Sequence, residues 1–245
     1  MHKLTTSFNL VLCLAGKGSR FTEKGYATPK YLLKLQNKKS ILENILSELC
    51  IGPKVQLKLI LNNDNKKWSN EINQLLANEG YNFELKHVSD TRGQAHTALI
   101  ASEMVENSKP IFFFNGDTII KGRNLAEISE EITNNCLSGT IDTFFAEDNH
   151  FSYVKVENEI VTEIKEKIVI SNMATTGLYG FKNSSYYQKF YKKLRNDKSE
   201  EYISDVYNKM LENKEKIKNY FYEISEDTII LGTPEEYEAW LKNGK

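Results

Sequence analysis

The chain has 245 residues, of which 40% are hydrophobic and 27% are charged, a composition typical of a globular protein with one sizeable core. Its 32 Lys and Arg residues nearly balance 33 Asp and Glu residues, and the formal net charge of -1 excludes a nucleic-acid binder that depends on bulk positive charge. The cysteines, Cys13, Cys50 and Cys136, show no CxxC spacing. We therefore expect neither a disulfide framework nor a zinc site, and we predict a reducing, cytoplasmic setting.

One short apolar run, residues 8–15, lies near the N-terminus. It is too short to cross a bilayer, and no signal-peptide cleavage pattern accompanies it. No later segment is a membrane candidate either. We therefore expect no membrane partner and no nucleic-acid partner, while a homo-oligomer is compatible with the sequence.

Strand and helix signals alternate over the first 145 residues. Strands are predicted from apolar runs, and helices from apolar residues spaced three and four apart. In chain order the predicted elements are strand 8–14, helix 41–49, strand 55–61, helix 68–79, strand 83–87, helix 94–106, strand 111–114, helix 125–135 and strand 140–145. This alternation predicts an α/β fold with an open, mostly parallel, twisted sheet and helices on both faces.

The last hundred residues show a different pattern, which we expect to extend the same sheet and carry a second ligand site. The predicted elements are a hairpin of strands 153–156 and 161–164, strand 178–181, helices 186–194 and 203–211, and strand 217–224. A final helix is predicted to begin at Pro234, because Thr233 suits the N-cap and Glu236 follows it by three residues.

A glycine-rich loop follows the first predicted strand and reads Leu14-Ala15-Gly16-Lys17-Gly18-Ser19-Arg20-Phe21. Glycines directly after a buried strand let backbone N–H groups approach phosphates closely, and Lys17 and Arg20 add positive charge. The loop differs from the Walker A pattern, because a glycine follows Lys17. It also differs from the dinucleotide-binding fingerprint, whose third glycine position is Phe21. Taken alone, it is also compatible with an ordinary connection in an α/β domain.

A second segment, Thr28-Pro29-Lys30-Tyr31-Leu32-Leu33, follows at a distance that lets another cation return to the same phosphates. Together the two segments resemble the nucleoside-triphosphate transferase family, which includes sugar-1-phosphate nucleotidyltransferases and phosphocholine cytidylyltransferases. The family pattern is roughly [AG]-[AG]-G-x-G-[ST]-R-[FLM] followed by Pro-Lys-x-Leu. The resemblance implies a Rossmann-like nucleotidyltransferase fold in a single domain. Residues 1–145 would bind an NTP, and residues 146–245 would bind a small phosphorylated acceptor.

The resemblance also implies roles for the residues of these segments. Arg20 and Lys30 would act in catalysis by neutralising the phosphates, and losing one such charge typically costs about 2.7–4 kcal/mol of barrier. The nucleotide would lie on Leu14, Ala15, Gly16, Lys17, Gly18 and Ser19. In Arg92-Gly93-Gln94-Ala95-His96-Thr97, Gly93 and Gln94 are predicted to contact the base, whereas His96 is interpreted as an ordinary helix residue.

Asn115-Gly116-Asp117 follows a predicted apolar strand, at the sheet edge where such folds bind ligands. The resemblance implies that Asp117 binds Mg²⁺, with Mn²⁺ as an alternative; the other interpretation is a turn aspartate. The family usually carries a second metal ligand in Asp-[IV]-Gly-Thr-Pro-Glu-Asp, but this position is Ile230. Either Asp117, phosphates and water hold the metal, or Asp227 or Glu226 substitutes.

Two further segments resemble the acceptor site of the family. Glu166 and Lys167 match its Glu-Lys pair, in which the lysine holds the acceptor's phosphate, although a surface charge run is the alternative interpretation. The stretch Ala174-Thr175-Thr176-Gly177-Leu178-Tyr179 resembles the strand written Asn-Ala-Gly-x-Tyr. Thr176 and Gly177 are therefore predicted to bind the acceptor.

The Ser-Arg-Phe ending of the glycine loop is more similar to cytidylyl and uridylyl members than to the others. We predict that CTP is used, with phosphoglutamine, phosphocholine or a similar acceptor, in bacterial capsule or surface-glycan synthesis. A uridylyl-, guanylyl- or thymidylyltransferase acting on a sugar 1-phosphate is the alternative. A glycosyltransferase is disfavoured, because Asp117-Thr118-Ile119 lacks the second aspartate of Asp-x-Asp. Arg20, Lys30 and Asp117 argue against an inactive binding subunit, and Ile230 argues for it.

Overall fold

The computed structural model describes residues 7–49, 51, 55–194, 200–222 and 227–243. Its strands are β1 (Asn9–Leu14), β2 (Gln56–Asn62), β3 (Asn82–Val88), β4 (Ile111–Asn115), β5 (Thr118–Ile120), β6 (Gly139–Phe145), β7 (Ser152–Glu157), β8 (Ile160–Glu166), β9 (Met173–Phe181), β10 (Ile217–Tyr222) and β11 (Thr228–Ile230). Its α-helices are α1 (Ser19–Glu23), α2 (Ile41–Glu48), α3 (Ser69–Asn78), α4 (Gln94–Ser102), α5 (Leu125–Asn134), α6 (Ser184–Tyr191), α7 (Ile203–Glu212) and α8 (Pro234–Asn243). Short 3₁₀ helices cover Lys30–Leu32 and Asn63–Trp68. Among these residues, none of the helices has both the length and the apolar character that crossing a bilayer requires.

One nine-stranded sheet joins both halves of the chain, in the order β3-β2-β1-β4-β9-β6-β10-β8-β7. The first four of these strands are parallel to one another, as predicted. Next to them, β9 runs antiparallel to both β4 and β6, and β10 runs parallel to β6. The predicted α/β class is confirmed, but the sheet is mixed beyond β4. The reason is that the C-terminal strands return through a hairpin and long-range pairings rather than through βαβ crossovers.

The end of the sheet away from β3 is not open. Tyr153 of β7 pairs with Ala174 of β9, so β9, β6, β10, β8 and β7 close into a ring. The hairpin between β7 and β8 turns at Asn158 and Glu159, both at positive φ (49° and 64°). Two-residue turns of this kind increase the right-handed twist of a hairpin, which helps to bring β7 round to β9. The predicted open sheet is therefore corrected at this end.

An apolar layer covers each face of the sheet, because successive side chains of a strand point to opposite sides. Leu10, Leu12 and Leu14 of β1 belong to the layer that contains the buried residues of α2, α3 and α5. Val11 belongs to the opposite layer, with the buried residues of α4, α6 and α7. Helices therefore pack on both faces, as the alternation of elements predicted.

A separate two-stranded ribbon, β5 paired with β11, follows Asp117 directly. Arg123, just after β5, is buried and binds Asp142 of β6, with an Nε–Oδ2 distance of 3.1 Å. Its Nη2 donates to Asp142 Oδ1 and to Thr228 Oγ1 of β11, both at 3.3 Å. Because a buried charge is costly without its partner, this ion pair fixes the ribbon to the main sheet.

The predicted elements are present, with changed ends. The final helix begins at Pro234 as predicted, and its capping box is complete: Glu236 N donates to Thr233 Oγ1 at 3.2 Å, and Thr233 N donates to Glu236 Oε2 at 2.8 Å. The strand predicted over 178–181 begins at Met173, and the helix predicted over 94–106 ends at Ser102. The strand predicted over 217–224 ends at Tyr222, and residues 223–226 lie outside the described residues.

Candidate active site

A cavity of about 810 Å³ opens where the parallel strands β1 and β4 end at their carboxyl termini. Most of the sequence-predicted site residues line it: Leu14, Ala15, Gly16, Lys17, Gly18, Lys30, Gly93, Gln94, Asp117, Glu166, Lys167 and Gly177. In the order of the strands, Asp117 after β4 stands between the glycine loop after β1 and Gly177 of β9. We call the side of the glycine loop the nucleotide half and the side of Glu166 and Lys167 the acceptor half.

An ion pair between Lys30 and Asp117 lies in the cavity wall, with an Nζ–Oδ2 distance of 2.5 Å. The two side chains are 26% and 21% exposed, so both can be reached from the cavity. Thr118 Oγ1 donates to the other carboxylate oxygen at 3.3 Å, and Leu231 N donates to the backbone oxygen of Asp117 at 2.7 Å. An ammonium group and a carboxylate are thus held together, the first suited to a phosphate oxygen and the second to a hard cation.

The glycine loop is anchored on the ends of β2 and β3. Asn62 Nδ2 donates to Ala15 O and to Asp90 Oδ1, both at 3.2 Å. Lys17 Nζ binds Asp90 Oδ2 at 2.6 Å, and this hydrogen bond raises the pKa of Lys17 and lowers the pKa of Asp90. Gly18 adopts a left-handed conformation (φ 63°) at the N-cap of α1. These contacts join the glycine loop to the neighbouring strand ends.

Gly93 is required by packing, and its predicted contact with the base stays a prediction, since Gly93 also lines the cavity. Its φ is 120°, a conformation that strongly favours glycine. A β carbon at this position would lie 2.5 Å from the backbone oxygen of Glu201 and 2.8 Å from its nitrogen. By contrast, nothing lies within 4 Å of the β carbon position of Gly16, so that space is open to the cavity.

These two glycines give a matched prediction. Gly93→Ala is expected to lower the free energy of unfolding by at least about 1–3 kcal/mol, because overpacking and backbone strain act together. Gly16→Ala is expected to leave stability within about 0.5 kcal/mol of the parent, typical of an exposed site, while weakening nucleotide binding. Urea unfolding midpoints and nucleotide titration of both variants measure this. Equal stability of the two variants would contradict the assignment of Gly93 to packing.

Three predicted site residues do not line the cavity. Ser19 and Arg20 are exposed on α1, so their contact with the nucleotide stays a prediction. Thr176 is 2% exposed, and its hydroxyl donates to Asp142 O at 3.4 Å inside the protein. The alternation of β9 places Thr175 on the cavity side instead, which corrects the predicted position of Thr176.

In the acceptor half, the Glu166 carboxylate accepts hydrogen bonds from the hydroxyls of Ser152 and Ser204, the latter at 2.7 Å. Lys167 Nζ donates to Tyr202 Oη at 2.8 Å and lies 4.7 Å from the centre of its ring. The hydrogen bond to Tyr202 raises the pKa of Lys167, so this lysine carries its charge at neutral pH. Glu166 and Lys167 are thus held by specific partners, unlike residues of a free surface charge run.

The two halves meet at Asn115, directly after the buried part of β4. Gln94 donates a hydrogen bond from its amide to Asn115 Oδ1, so the amide predicted to read the base is bound within the protein. Gly177 has φ 87°, and a β carbon there would overlap the Asn115 side chain. The glycine at position 177 is therefore needed for β9 to pass Asn115.

Cys13 lines the cavity, but it is not a nucleophile. Burial raises the pKa of its thiol to about 12, so the thiol stays protonated at neutral pH. The cavity also contains residues that the sequence analysis did not select, among them Asp90, Asn115, Glu200 and Tyr202. Isolated polar residues of these types carry no motif, and only their position in the fold shows that they face a ligand site.

The family model described as Nucleotidyl transferase matches residues 10–242 of the chain. The chain belongs to the nucleotidyl transferase family. This finding confirms the predicted class of enzyme. No curated protein sequence matches the chain.

Solved structures share the fold of this nucleotidyl transferase family member. The chain is similar to the nucleoside-diphosphate-sugar pyrophosphorylase from Vibrio cholerae RC9, with a TM-score of 0.81 and 23% identity over 96% of this chain and 100% of that chain. For a Bacillus anthracis protein, provisionally named a glucose-1-phosphate thymidylyltransferase, the TM-score is 0.74 and the identity is 20%, over 96% of this chain and 93% of that chain. For a UDP-glucose pyrophosphorylase complexed with UDP-glucose, the TM-score is 0.76 and the identity is 15%, over 97% of this chain and 99% of that chain. At these identities the likeness confirms the fold.

In this member of the nucleotidyl transferase family, Ile230 packs beside the apolar cluster of Phe144, Tyr153 and Ala174. Asp227, considered as a substitute ligand, has its backbone oxygen bound to Lys121 N at the end of the ribbon opposite Asp117. Glu226 lies outside the described residues.

Glu236, predicted only as part of a helix cap, places its carboxylate beside Gly232, as Asp117 does. A β carbon on Gly232 would lie 3.5 Å from Glu236 Oε2 and 3.5 Å from Asp117 Oδ2, so the two carboxylates flank Gly232. Within the part of the chain that the structure describes, no three His, Cys, Asp or Glu side chains form a ready-made metal site.

Proposed function

We propose that the chain transfers a nucleoside monophosphate from an NTP to the phosphate of a small acceptor. The observation that carries the proposal is the position of the Lys30–Asp117 pair between the glycine loop and the Glu166–Lys167 pair, in one cavity. An acceptor phosphate oxygen attacks the α-phosphorus of the NTP, and a new P–O bond forms. The bond from the α-phosphorus to the oxygen bridging the β-phosphate breaks, and pyrophosphate leaves with the electron pair.

The chain's own residues supply positioning and charge for this transfer. Backbone N–H groups of the glycine loop and the Lys30 ammonium face the triphosphate, and Lys167 holds the acceptor phosphate. Asp117 offers carboxylate oxygens to Mg²⁺ or Mn²⁺, and the phosphates and water would complete the ligand set, since Asp227 is remote. Bound there, the cation would neutralise charge on the phosphates.

CTP is our proposed nucleotide. The Asp90 carboxylate lies in the nucleotide half, where it already accepts hydrogen bonds from Asn62 and Lys17. A carboxylate accepts from the exocyclic amino group of cytosine, whereas uracil and thymine present a carbonyl oxygen there. A base that leaves such a group unpaired costs about 1–3 kcal/mol. The Gly-Ser-Arg-Phe ending of the loop supports the same choice.

For the acceptor we propose phosphocholine, phosphoglutamine or a similar metabolite that carries an amino or ammonium group, giving a donor for capsule or surface-glycan synthesis. The acceptor half presents the carboxylates of Glu166 and Glu200 and the rings of Phe151 and Tyr202, which suit a cation. A sugar 1-phosphate is the second candidate. It is favoured by the structural neighbours, whose names are those of sugar-nucleotide enzymes, and carboxylates also accept hydrogen bonds from sugar hydroxyls.

A substrate screen tests these assignments. CTP, UTP, GTP and dTTP are each combined with phosphocholine, phosphoglutamine and glucose 1-phosphate in the presence of Mg²⁺, and pyrophosphate release is measured. We expect CTP to be used at least about tenfold better than the others, which corresponds to one unpaired polar group. Equal or better use of dTTP or GTP would refute the cytidylyl assignment and leave nucleotidyl transfer standing.

Two additions to the screen, a nucleotide sugar as the donor and a thermal-shift assay with each nucleotide, separate the other classes of protein. A glycosyltransferase would consume a nucleotide sugar without releasing pyrophosphate. An inactive binding subunit would bind nucleotide in a thermal-shift assay without turnover. Either result would remove the proposed function.

A further inference from the structure

A buried carboxylate that the proposed reaction does not use lies behind the cavity wall. The Glu201 side chain is 4% exposed and accepts a hydrogen bond from Arg92 Nε at 2.7 Å. It also accepts a hydrogen bond from the Tyr191 hydroxyl. Arg92 Nη2 in turn donates to the Tyr191 oxygen at 2.9 Å. The three side chains form a closed triangle of hydrogen bonds, which we call the Arg92–Glu201–Tyr191 triangle.

The backbone joins the same places in the chain. Glu201 N donates to Arg92 O at 2.6 Å, and Ala95 N donates to Glu201 O at 3.0 Å. Gly93 lies between Arg92 and Ala95, and a β carbon on it would overlap the backbone of Glu201. The segment of residues 91–95, which includes the start of α4, therefore rests directly on Glu201, although 109 positions separate Arg92 from Glu201 in the sequence.

The two joined segments belong to opposite halves of the cavity. Arg92 and Gln94 line the cavity shortly after Asp90, which binds Lys17 in the nucleotide half. Glu200 and Tyr202, on either side of Glu201, also line it, and Tyr202 binds Lys167 in the acceptor half. Hydrogen bonds therefore connect residues 91–95 to the segment that carries the partner of Lys167.

The charge of Glu201 is maintained despite its burial. Burial acts to raise the pKa of this carboxyl, but the hydrogen bonds from Arg92 and Tyr191 outweigh it and hold the pKa below its ordinary value. The carboxylate is therefore ionised at neutral pH, and the charge-assisted bond to Arg92 is a strong link.

We propose that Glu201 is a positioning residue that couples the two halves of the cavity. Binding of a nucleotide orders residues 91–95. Through the Arg92–Glu201–Tyr191 triangle, residues 200–207 become ordered as well, and Lys167 is thereby positioned for the acceptor's phosphate. The coupling rests on the proposed function, because it requires a nucleotide in the nucleotide half. Glu201 acts through Arg92 and Tyr202 and does not touch either substrate.

Tyr191→Phe tests the coupling, because Tyr191 is buried and does not line the cavity, and the change removes only its hydroxyl. Tyr186→Phe is the matched control: it lies on the same helix, and its hydroxyl pairs with Ser138 instead. Hydrogen–deuterium exchange is followed with each of CTP, UTP, GTP and dTTP and Mg²⁺, without acceptor. Peptides covering residues 91–95 and 200–207 are compared.

In the parent protein and in Tyr186→Phe, we expect the best-bound nucleotide to slow exchange in both segments. The effect on residues 200–207 should be about fivefold or more, the lower range for coupled sites. In Tyr191→Phe, nucleotide should slow exchange only in residues 91–95. Glu201→Gln should give the same result as Tyr191→Phe. Slowing of residues 200–207 in Tyr191→Phe to the parent extent, or its absence in the parent, overturns the coupling and leaves the proposed function intact. No slowing of either segment by any of the four nucleotides overturns both.

Discussion

Asp117→Asn is expected to lower the rate of pyrophosphate release by about 10²–10³-fold, the range for losing one preorganised charge. The amide keeps the size of the side chain but loses the negative charge that attracts a hard cation. The fold should survive, because the contact of Asp117 with Leu231 is made by its backbone oxygen, and its carboxylate is partly exposed. Circular dichroism and turnover are measured on the same preparation.

Asp227→Asn is the matched control for this experiment, because Asp227 was the alternative metal ligand and lies at the other end of the ribbon. Its turnover should equal that of the parent protein. Turnover of Asp117→Asn within a few-fold of the parent would exclude Asp117 as the principal ligand. A large loss in Asp227→Asn would show that the ribbon rearranges to bring this residue to the metal.

Lys30→Ala is expected to cost about 10²–10³-fold in rate, because the ammonium group is held in place before the phosphates arrive. Its partner Asp117 fixes it at 2.5 Å, so little reorganisation is needed when charge develops on the triphosphate. Rates are measured at saturating nucleotide and corrected for the folded fraction from a urea melt. Lys24→Ala, which removes an exposed lysine paired with Glu235 at 3.0 Å, is the control and should retain full activity.

Arg20→Ala, measured beside Lys30→Ala, should show the smaller loss. Arg20 is exposed on α1, where water and salt screen its charge. A loss as large as that of Lys30→Ala would show that Arg20 reaches the phosphates in the complex. Normal kinetics of Lys30→Ala in its folded fraction would instead assign Lys30 to stability.

The parallel half of the sheet could be predicted from the sequence because β1 and β4 are nearly continuous apolar runs and β3 alternates polar with apolar residues. The start of β9 could not, since Ala174, Thr175, Thr176 and Gly177 form no such run. The β5–β11 ribbon was also missed, because its strands are only three residues long. Antiparallel insertion of β9 between β4 and β6 depends on pairing between distant segments, for which a single sequence carries no local signal.

The site was predictable where the chemistry is local. The glycine loop, Lys30 and Asp117 lie in short motifs, and the structure brings them to one cavity. The difference between Thr175 and Thr176 required the register of β9, since a shift of one residue changes the face. The role of Gly93 required knowledge of Glu201, which is remote in the sequence and packs against it only in the folded chain.

The order of strands also bears on how the chain is made. Within the described residues, β6 hydrogen-bonds to β9 and β10 and to no other strand, and both neighbours leave the ribosome after it. A nascent chain that has emerged as far as residue 145 therefore has β6 without either of its hydrogen-bonded neighbours. The main sheet is completed only when β10 has been synthesised, so its C-terminal part folds late rather than strand by strand. A gene split or a linker inserted at residue 145 would separate strands that depend on one another.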